Sequence, residues 1–264
     1  MIGPEATVKT ADIIEKAVYL NQPGVVAAIL PTLPDAERAE VASQLLAHAA
    51  FSDNLEIVRL LVQNGANPQI IPEGKYAYAV EYDCQGYPLL YALLTSSKDH
   101  SSAVLALLES PLADATVTVS TKLFGLKRES LLSAALQRDA KGEVMQKLIE
   151  RGAKPSLSDV ETAIKNNNIE HLRLFINDRS ANLLARGPEL MRCAFDVQNM
   201  EAAKLLSRAG VSHVVQGEKF SFAKNPDSFL KALFSAIQEL ENRKLAESDQ
   251  PLQNQLLVLL LRAF

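Results

Sequence analysis

The chain has 264 residues, of which 48% are hydrophobic, and this apolar fraction excludes a globally disordered protein. Its formal charge is −4 with an isoelectric point near 5.7, so it lacks the basic field that holds a nucleic-acid backbone. Cys84 and Cys193 lie too far apart in sequence for a metal-ligand pair or a disulfide framework, which favours reduced thiols in the cytoplasm. The first ten residues carry no secretory pattern, and the longest apolar run, Leu256 to Leu261, is too short for membrane insertion.

Taken in chain order, the pattern first predicts a helix pair at residues 11–34, after a loose leader and with a turn at residues 21–24. The pair at residues 43–69 has the clearest pattern. Asn54 is expected to cap its second helix, because an Asn side chain can accept the early backbone N–H bonds. Gly65 then provides the residue that ends that helix in the left-handed conformation.

Further helix pairs are predicted at residues 87–112, 130–155, 157–182 and 188–213, followed by capping helices at residues 227–264. A small residue recurs in each first helix from the second pair onward: Ala49, Ala92, Ala135, Ala163 and Ala194. A large apolar residue recurs in each second helix: Leu61, Leu108, Leu148, Phe175 and Leu206. Helix pairs this short cannot bury their apolar faces alone, so we expect one continuous array over residues 1–264.

The repeated segments resemble the ankyrin repeat family. Residues 87–92, Tyr-Pro-Leu-Leu-Tyr-Ala, match that family's Thr-Pro-Leu-His-x-Ala at the Pro, the Leu and the Ala. Residues 54–61 and 199–206 fit its second helix, Leu-Glu-Val-Val-x-Leu-Leu, which usually follows Gly-His or Gly-Asn. The resemblance covers about residues 11–241, with degenerate repeats that lack the family's Thr and His. It implies an all-α, ankyrin-like solenoid of stacked helix pairs with short β-hairpin fingers.

Three insertions are predicted to form those fingers. Residues 70–87 are rich in β-favouring residues between Pro/Gly-containing flanks, and residues 113–129 alternate before a turn at Phe124-Gly125. Residues 213–222 have apolar arms around Gln-Gly-Glu-Lys, as in a hairpin. In a straight strand Tyr76, Tyr78 and Tyr82 would share one face, either packed over helix ends or exposed to a partner.

No motif in the chain indicates an active site or a cofactor. Residues 96–102 contain Ser, Asp and His, but neighbours in sequence cannot readily converge as a triad, so a polar turn capped by Asp99 or Ser101 is expected. The histidines have no metal-ligand spacing, and no glycine loop has the phosphate-binding frame. Cys193 is expected to be a buried small residue, and Cys84 to lie in an exposed finger.

The resemblance therefore implies a non-catalytic, protein–protein interaction scaffold without cofactor or metal, whose partner docks on the concave face and the fingers. The expected partner-binding residues are the aromatic and basic finger residues Tyr76, Tyr78, Tyr82, Phe124, Lys127 and Phe220. Two alternatives stay open at this stage. One is a bacterial effector, secreted into a host cell, whose ankyrin-like body engages a host protein. The other is an enzyme or enzyme inhibitor that uses Cys84 with Asp83 and a nearby His.

Overall fold

The structure is a computed structural model that describes residues 4–81, 84–121, 127–178 and 186–211. The chain divides into two compact units, Met1–Lys154 and Pro155–Phe264. Each unit is built from pairs of short helices. The predicted capping helices at 227–264 and the third finger at 213–222 lie outside the described residues.

The described residues of the first unit form four helix pairs. The pairs are α1 (Pro4–Tyr19) with α2 (Pro23–Ile29), α3 (Asp35–Phe51) with α4 (Leu55–Gln63), α5 (Leu89–Thr95) with α6 (Ser101–Leu108), and α7 (Leu131–Gln137) with α8 (Gly142–Glu150). Each first helix packs on the next first helix, in the order α1, α3, α5, α7. The second helices stack in the same way, from α2 through α4 and α6 to α8. The predicted stack of helix pairs is therefore confirmed in this unit.

The second unit repeats the arrangement with two described pairs. These are α9 (Leu157–Lys165) with α10 (Ile169–Asp178), and α11 (Gly187–Asp196) with α12 (Met200–Arg208). Within the unit α9 packs on α11 and α10 on α12. The prediction that all pairs form one domain stays a prediction.

The predicted core positions are confirmed throughout the described helices. The five small residues of the first helices are fully buried: Ala49, Ala92, Ala135, Ala163 and Ala194. So are the five large residues of the second helices: Leu61, Leu108, Leu148, Phe175 and Leu206. The small residues let neighbouring helices approach closely, while the large ones fill the space between second helices. A repeat thus gains most of its buried apolar surface from its neighbours.

Two of the local predictions at helix ends have different outcomes. Gly65 does adopt a positive φ of 89°, and a Cβ there would lie 3.4 Å from the Cβ of Ala39, so this position needs glycine. Asn54 makes no side-chain capping bond, so the predicted cap is wrong, although the equivalent Asn199 does accept from the N–H of Ala202. Helix α1 begins at Pro4, so the predicted loose leader is also wrong.

The two insertions in the first unit differ from each other. Strands β1 (Thr118–Thr121) and β2 (Lys127–Ser130) pair antiparallel, which confirms the second finger as a hairpin. The first insertion contains a 3-10 helix, Gly74–Ala79, so the predicted hairpin or extended finger is wrong there. A strand needs a partner for its N–H and C=O groups, whereas a 3-10 turn satisfies them internally. The N–H of Tyr76, for example, donates to the carbonyl of Glu73.

No described helix is both long and apolar enough to cross a membrane. Within the same ranges, no group of three His, Cys, Asp or Glu side chains could hold a metal ion.

Candidate partner-binding surface

The first insertion folds back over the first helices of its own unit. Its ends meet where the N–H of Leu89 donates to the carbonyl of Ile70 across 2.9 Å. Between these ends the 3-10 helix packs against α3, and the side chains of Val80 and Cys84 are buried. The insertion therefore lies against the helices and does not project from them.

The tyrosines of the first insertion do not share one exposed face. Tyr78 is 87% exposed, whereas Tyr76 is half-buried, and Tyr82 lies outside the described residues. The prediction assumed a straight strand, in which positions i and i+2 point the same way. A 3-10 helix has about three residues per turn, so the same two positions point in different directions. Of the two described tyrosines of the 3-10 helix, Tyr78 is thus the exposed one.

One carboxylate joins the first insertion to the turn between α5 and α6. Glu81 accepts from the backbone N–H of Ser97 with one oxygen and from the Ser97 hydroxyl with the other, both at 2.8 Å. These bonds lower the pKa of Glu81, the backbone bond most, while partial burial opposes the change. Sequence reasoning missed this contact, because the two residues lie 16 positions apart and match no motif.

Cys84 is buried on the inner side of the insertion and does not lie in an exposed finger, so that expectation is wrong. Its side chain is 4% exposed, and its sulfur lies 3.5 Å from the hydroxyl oxygen of Thr95 at the end of α5. A sulfur this deeply covered cannot meet a substrate without movement of the insertion. The alternative of an exposed Cys84 nucleophile therefore loses its geometric basis.

The polar turn at residues 96–102 is held by Asp99, but the predicted cap by Asp99 or Ser101 is wrong, because His100 is the N-cap residue of α6 and no side chain caps that helix. One Asp99 oxygen accepts from the N–H and the hydroxyl of Ser101, and the other lies 2.8 Å from Nζ of Lys141. The Lys141 contact and the Ser101 bonds hold the pKa of Asp99 far below its usual range. Neither ring nitrogen of His100 has a hydrogen-bond partner, so Ser, Asp and His do not form a triad.

The second insertion is fixed at its base by a buried carboxylate. Glu129 on β2 is 8% exposed, accepts a 2.6 Å hydrogen bond from the Tyr91 hydroxyl on α5, and also accepts from the Gln137 amide on α7. Burial raises the pKa of Tyr91, and the bond to Glu129 raises it further. The next residue, Ser130, caps α7 by accepting from the N–H of Ser133. The one sequence signal for this role is that Glu129 is the sole carboxylate between Asp114 and Asp139.

The remaining predicted binding residues belong to the two later fingers. Lys127 lies on β2, where its backbone pairs with Thr121. Phe124 and Phe220 fall outside the described residues. Their assignment stays a prediction.

The first helices differ in how much of their surface remains open. All six residues from Leu89 to Leu94 of α5 are buried, so this helix is covered all round. In the second unit α9 and α11 keep an open polar side. It carries Lys165, Glu189, Arg192 and Asp196, all of which are exposed. Cys193 lies half-buried on α11, not buried as predicted, and partial burial raises the pKa of its thiol.

Comparison with known proteins places these helices in a recognised architecture. Residues 45–71 match the family model of the ankyrin repeat. Among solved structures the chain is similar to the one titled "Crystal structure of the ankyrin repeat domain of Bcl-3: a unique member of the IkappaB protein family". The TM-score is 0.50 at 20% identity, over 76% of this chain and 86% of that one. No curated protein matches the chain.

Proposed function

We propose, from its ankyrin repeat and its ankyrin-repeat-domain fold, that this chain is a non-catalytic scaffold that binds another protein. Ankyrin repeat domains generally mediate protein–protein interaction. The fold by itself does not determine function, so the argument depends on the surface that these repeats present.

The observation that carries the proposal is the exposure of Tyr78 on a fixed segment. A large aromatic side chain left 87% in solvent gains apolar burial only when another molecule covers it. Tyrosine is enriched among the residues that contribute most to binding energy at interfaces. Because the contacts of Glu81 and the buried Val80 already order the insertion, little conformational entropy remains to be lost on binding.

Each unit has its own proposed binding residues. In the first unit these are the finger residues Tyr76, Tyr78, Tyr82, Phe124 and Lys127. In the second unit they are Phe220 and the open sides of α9 and α11. Helix α5 is not part of the proposed surface, because its residues Leu89 to Leu94 are buried and a partner could not reach them without displacing the first insertion.

A photo-cross-linking experiment tests the proposal. Benzoylphenylalanine replaces Tyr78 in the full chain, and a matched variant carries it at the exposed Gln63 of α4. We expect a discrete cross-linked protein from cell extract with the residue at position 78 and none at position 63. The joint replacement of Tyr76, Tyr78 and Tyr82 by Ala should then weaken binding of the identified protein about tenfold or more, with the helical CD spectrum unchanged. A chain that yields no cross-linked protein at position 78, and none at positions 124, 127 and 220, would refute the proposal.

A further inference from the structure

The first insertion has the construction of a strap whose two ends are held together. The hydrogen bond from the N–H of Leu89 to the carbonyl of Ile70 closes it at its base. A loop whose ends are in contact can open without changing the distance between the repeats that it joins. The stacks of first and second helices would therefore stay intact while the strap moves.

Internal bonds make the strap a unit of its own. The amide of Gln85 donates to the carbonyl of Ala77 at 3.2 Å and to that of Val80 at 3.4 Å. These bonds link two parts of the strap to each other, so they need not break when the strap leaves the helices. Such a segment can open locally at a lower free energy than global unfolding.

The contact between Glu81 and Ser97 ties this unit to the α5–α6 turn. Both of its hydrogen bonds lie in exposed surroundings, where water competes for the same groups. On the inner side of the strap Val80 and Cys84 are buried, and the Cys84 sulfur lies 3.5 Å from the Thr95 hydroxyl oxygen on α5. The contact of Glu81 with Ser97 therefore opposes opening together with this buried packing.

We propose that the described residues of the first insertion, 70–81 and 84–87, form a strap, latched by Glu81 on Ser97, which covers the first-helix side of α3 and α5 and opens locally. In the closed position the strap holds Tyr78 in a fixed place on its outer side. In the open position that surface is lost and the apolar side of the helices is uncovered. The latch thus regulates the binding surface proposed above, and this inference rests on that function.

Cys84 provides a direct probe of the opening, because its side chain is buried on the inner side of the strap. In a Cys193→Ser background it is the sole thiol of the chain, so its reaction with 5,5′-dithiobis(2-nitrobenzoate) reports access to that position. Glu81→Ala removes both latch bonds. Glu73→Ala is the matched control, since it removes an exposed carboxylate from the same insertion without touching the latch.

We expect Glu81→Ala to accelerate labelling of Cys84 about tenfold, as the loss of two bonds to a charged group implies, while Glu73→Ala leaves the rate unchanged. The guanidinium midpoint of global unfolding should move little in either variant. An equal labelling rate in the wild type and Glu81→Ala would overturn the latch. The latch would also be overturned if the labelling rate of Cys84 depended on denaturant in the same way as global unfolding, because the strap would then open only when the whole unit unfolds.

The regulatory part of the inference has its own readout. With benzoylphenylalanine at position 78, Glu81→Ala should lower the yield of the cross-linked protein severalfold relative to Glu73→Ala. Faster labelling of Cys84 with an unchanged cross-linking yield would overturn regulation. If no variant forms a cross-link the proposed function fails, whereas the Cys84 rates still decide whether the strap opens.

Discussion

The hydroxyl of Tyr91 on α5 donates a 2.6 Å hydrogen bond to the buried carboxylate of Glu129 on β2, 38 residues further along the chain. This bond joins the β1–β2 hairpin to the helix pair that precedes it. A hairpin with two four-residue strands is marginal alone, so contacts at its base stabilise it.

Tyr91→Phe should lower the free energy of unfolding of the first unit by about 2 kcal/mol, because a buried carboxylate then loses one of its hydrogen-bond donors. Tyr87→Phe is the matched control, since the Tyr87 ring lies tilted against the Tyr91 ring with a centroid distance of 5.1 Å and only its hydroxyl is removed. Chemical denaturation of both variants provides the measurement. Equal effects of the two substitutions would show that the Glu129 bond contributes nothing specific.

Asn199 should contribute more to stability than the equivalent Asn54. Asn199 caps α12 through Ala202 and donates a buried 2.9 Å bond to the carbonyl of Ile164, whereas Asn54 makes no side-chain cap bond. Asn199→Ala should therefore cost about 2 kcal/mol, and Asn54→Ala less than about 0.5 kcal/mol. Hydrogen exchange of amides in α12 and α4 measures each effect locally. A larger loss of protection in α4 would contradict the assignment.

Gln198→Gly should stabilise the second unit by about 1 kcal/mol. Gln198 has a φ of 58°, in the left-handed region that a residue with a Cβ adopts at a cost and that glycine adopts freely. Gln198→Ala is the control, because it removes the side chain but keeps the Cβ. It should change stability little. If the alanine variant were stabilised as much as the glycine variant, side-chain loss and not backbone strain would be the cause.

His100 should make the first unit less stable at mildly acidic pH. Its imidazole is 5% exposed and meets the Phe51 ring edge-on at 5.1 Å, and burial lowers its pKa below the usual 6.5. Of the charges facing it, Asp53, Glu81 and Asp99 oppose this shift and Lys98 adds to it. The folded state thus takes up the proton less readily than the unfolded state. Stability is complete above about pH 6.5 and is lost as the pH falls from there towards the folded pKa.

His100→Leu tests this dependence, because it removes the proton site and keeps an apolar contact with Phe51. We expect the urea midpoint of the variant to change less between pH 7 and pH 5 than that of the wild type. His48 remains in both proteins and supplies a shared background, since burial lowers its pKa too. A wild type and a variant with the same pH slope would exclude His100 as its source.

Much of the helical framework could be predicted from sequence because its signals are local. Small apolar residues such as Ala49 mark the buried side of the first helices, and large ones such as Leu61 mark the buried side of the second helices. Gly65 is another local signal. It follows the end of α4 with a positive φ, a conformation that most other residues adopt only at a cost. The helices between Leu55 and Arg208 lie close to their predicted positions.

The candidate surface could not be predicted in the same way. The Tyr-rich insertion favours a strand by composition, yet its backbone adopts a 3-10 helix against α3, which separates Tyr76 from Tyr78. Because the insertion was predicted to be a projecting finger, Cys84 was predicted to be exposed, but its side chain is buried.

Sequence by itself determined the repeat, the helix pairs and the core positions, because each depends on spacing within about thirty residues. Only the tertiary structure decided which face stays open, since the contacts of Glu81 with Ser97 and of Tyr91 with Glu129 join segments from different repeats. No periodic pattern in the sequence predicts those hydrogen bonds. They arise when insertions fold onto helices that the repeats have already positioned.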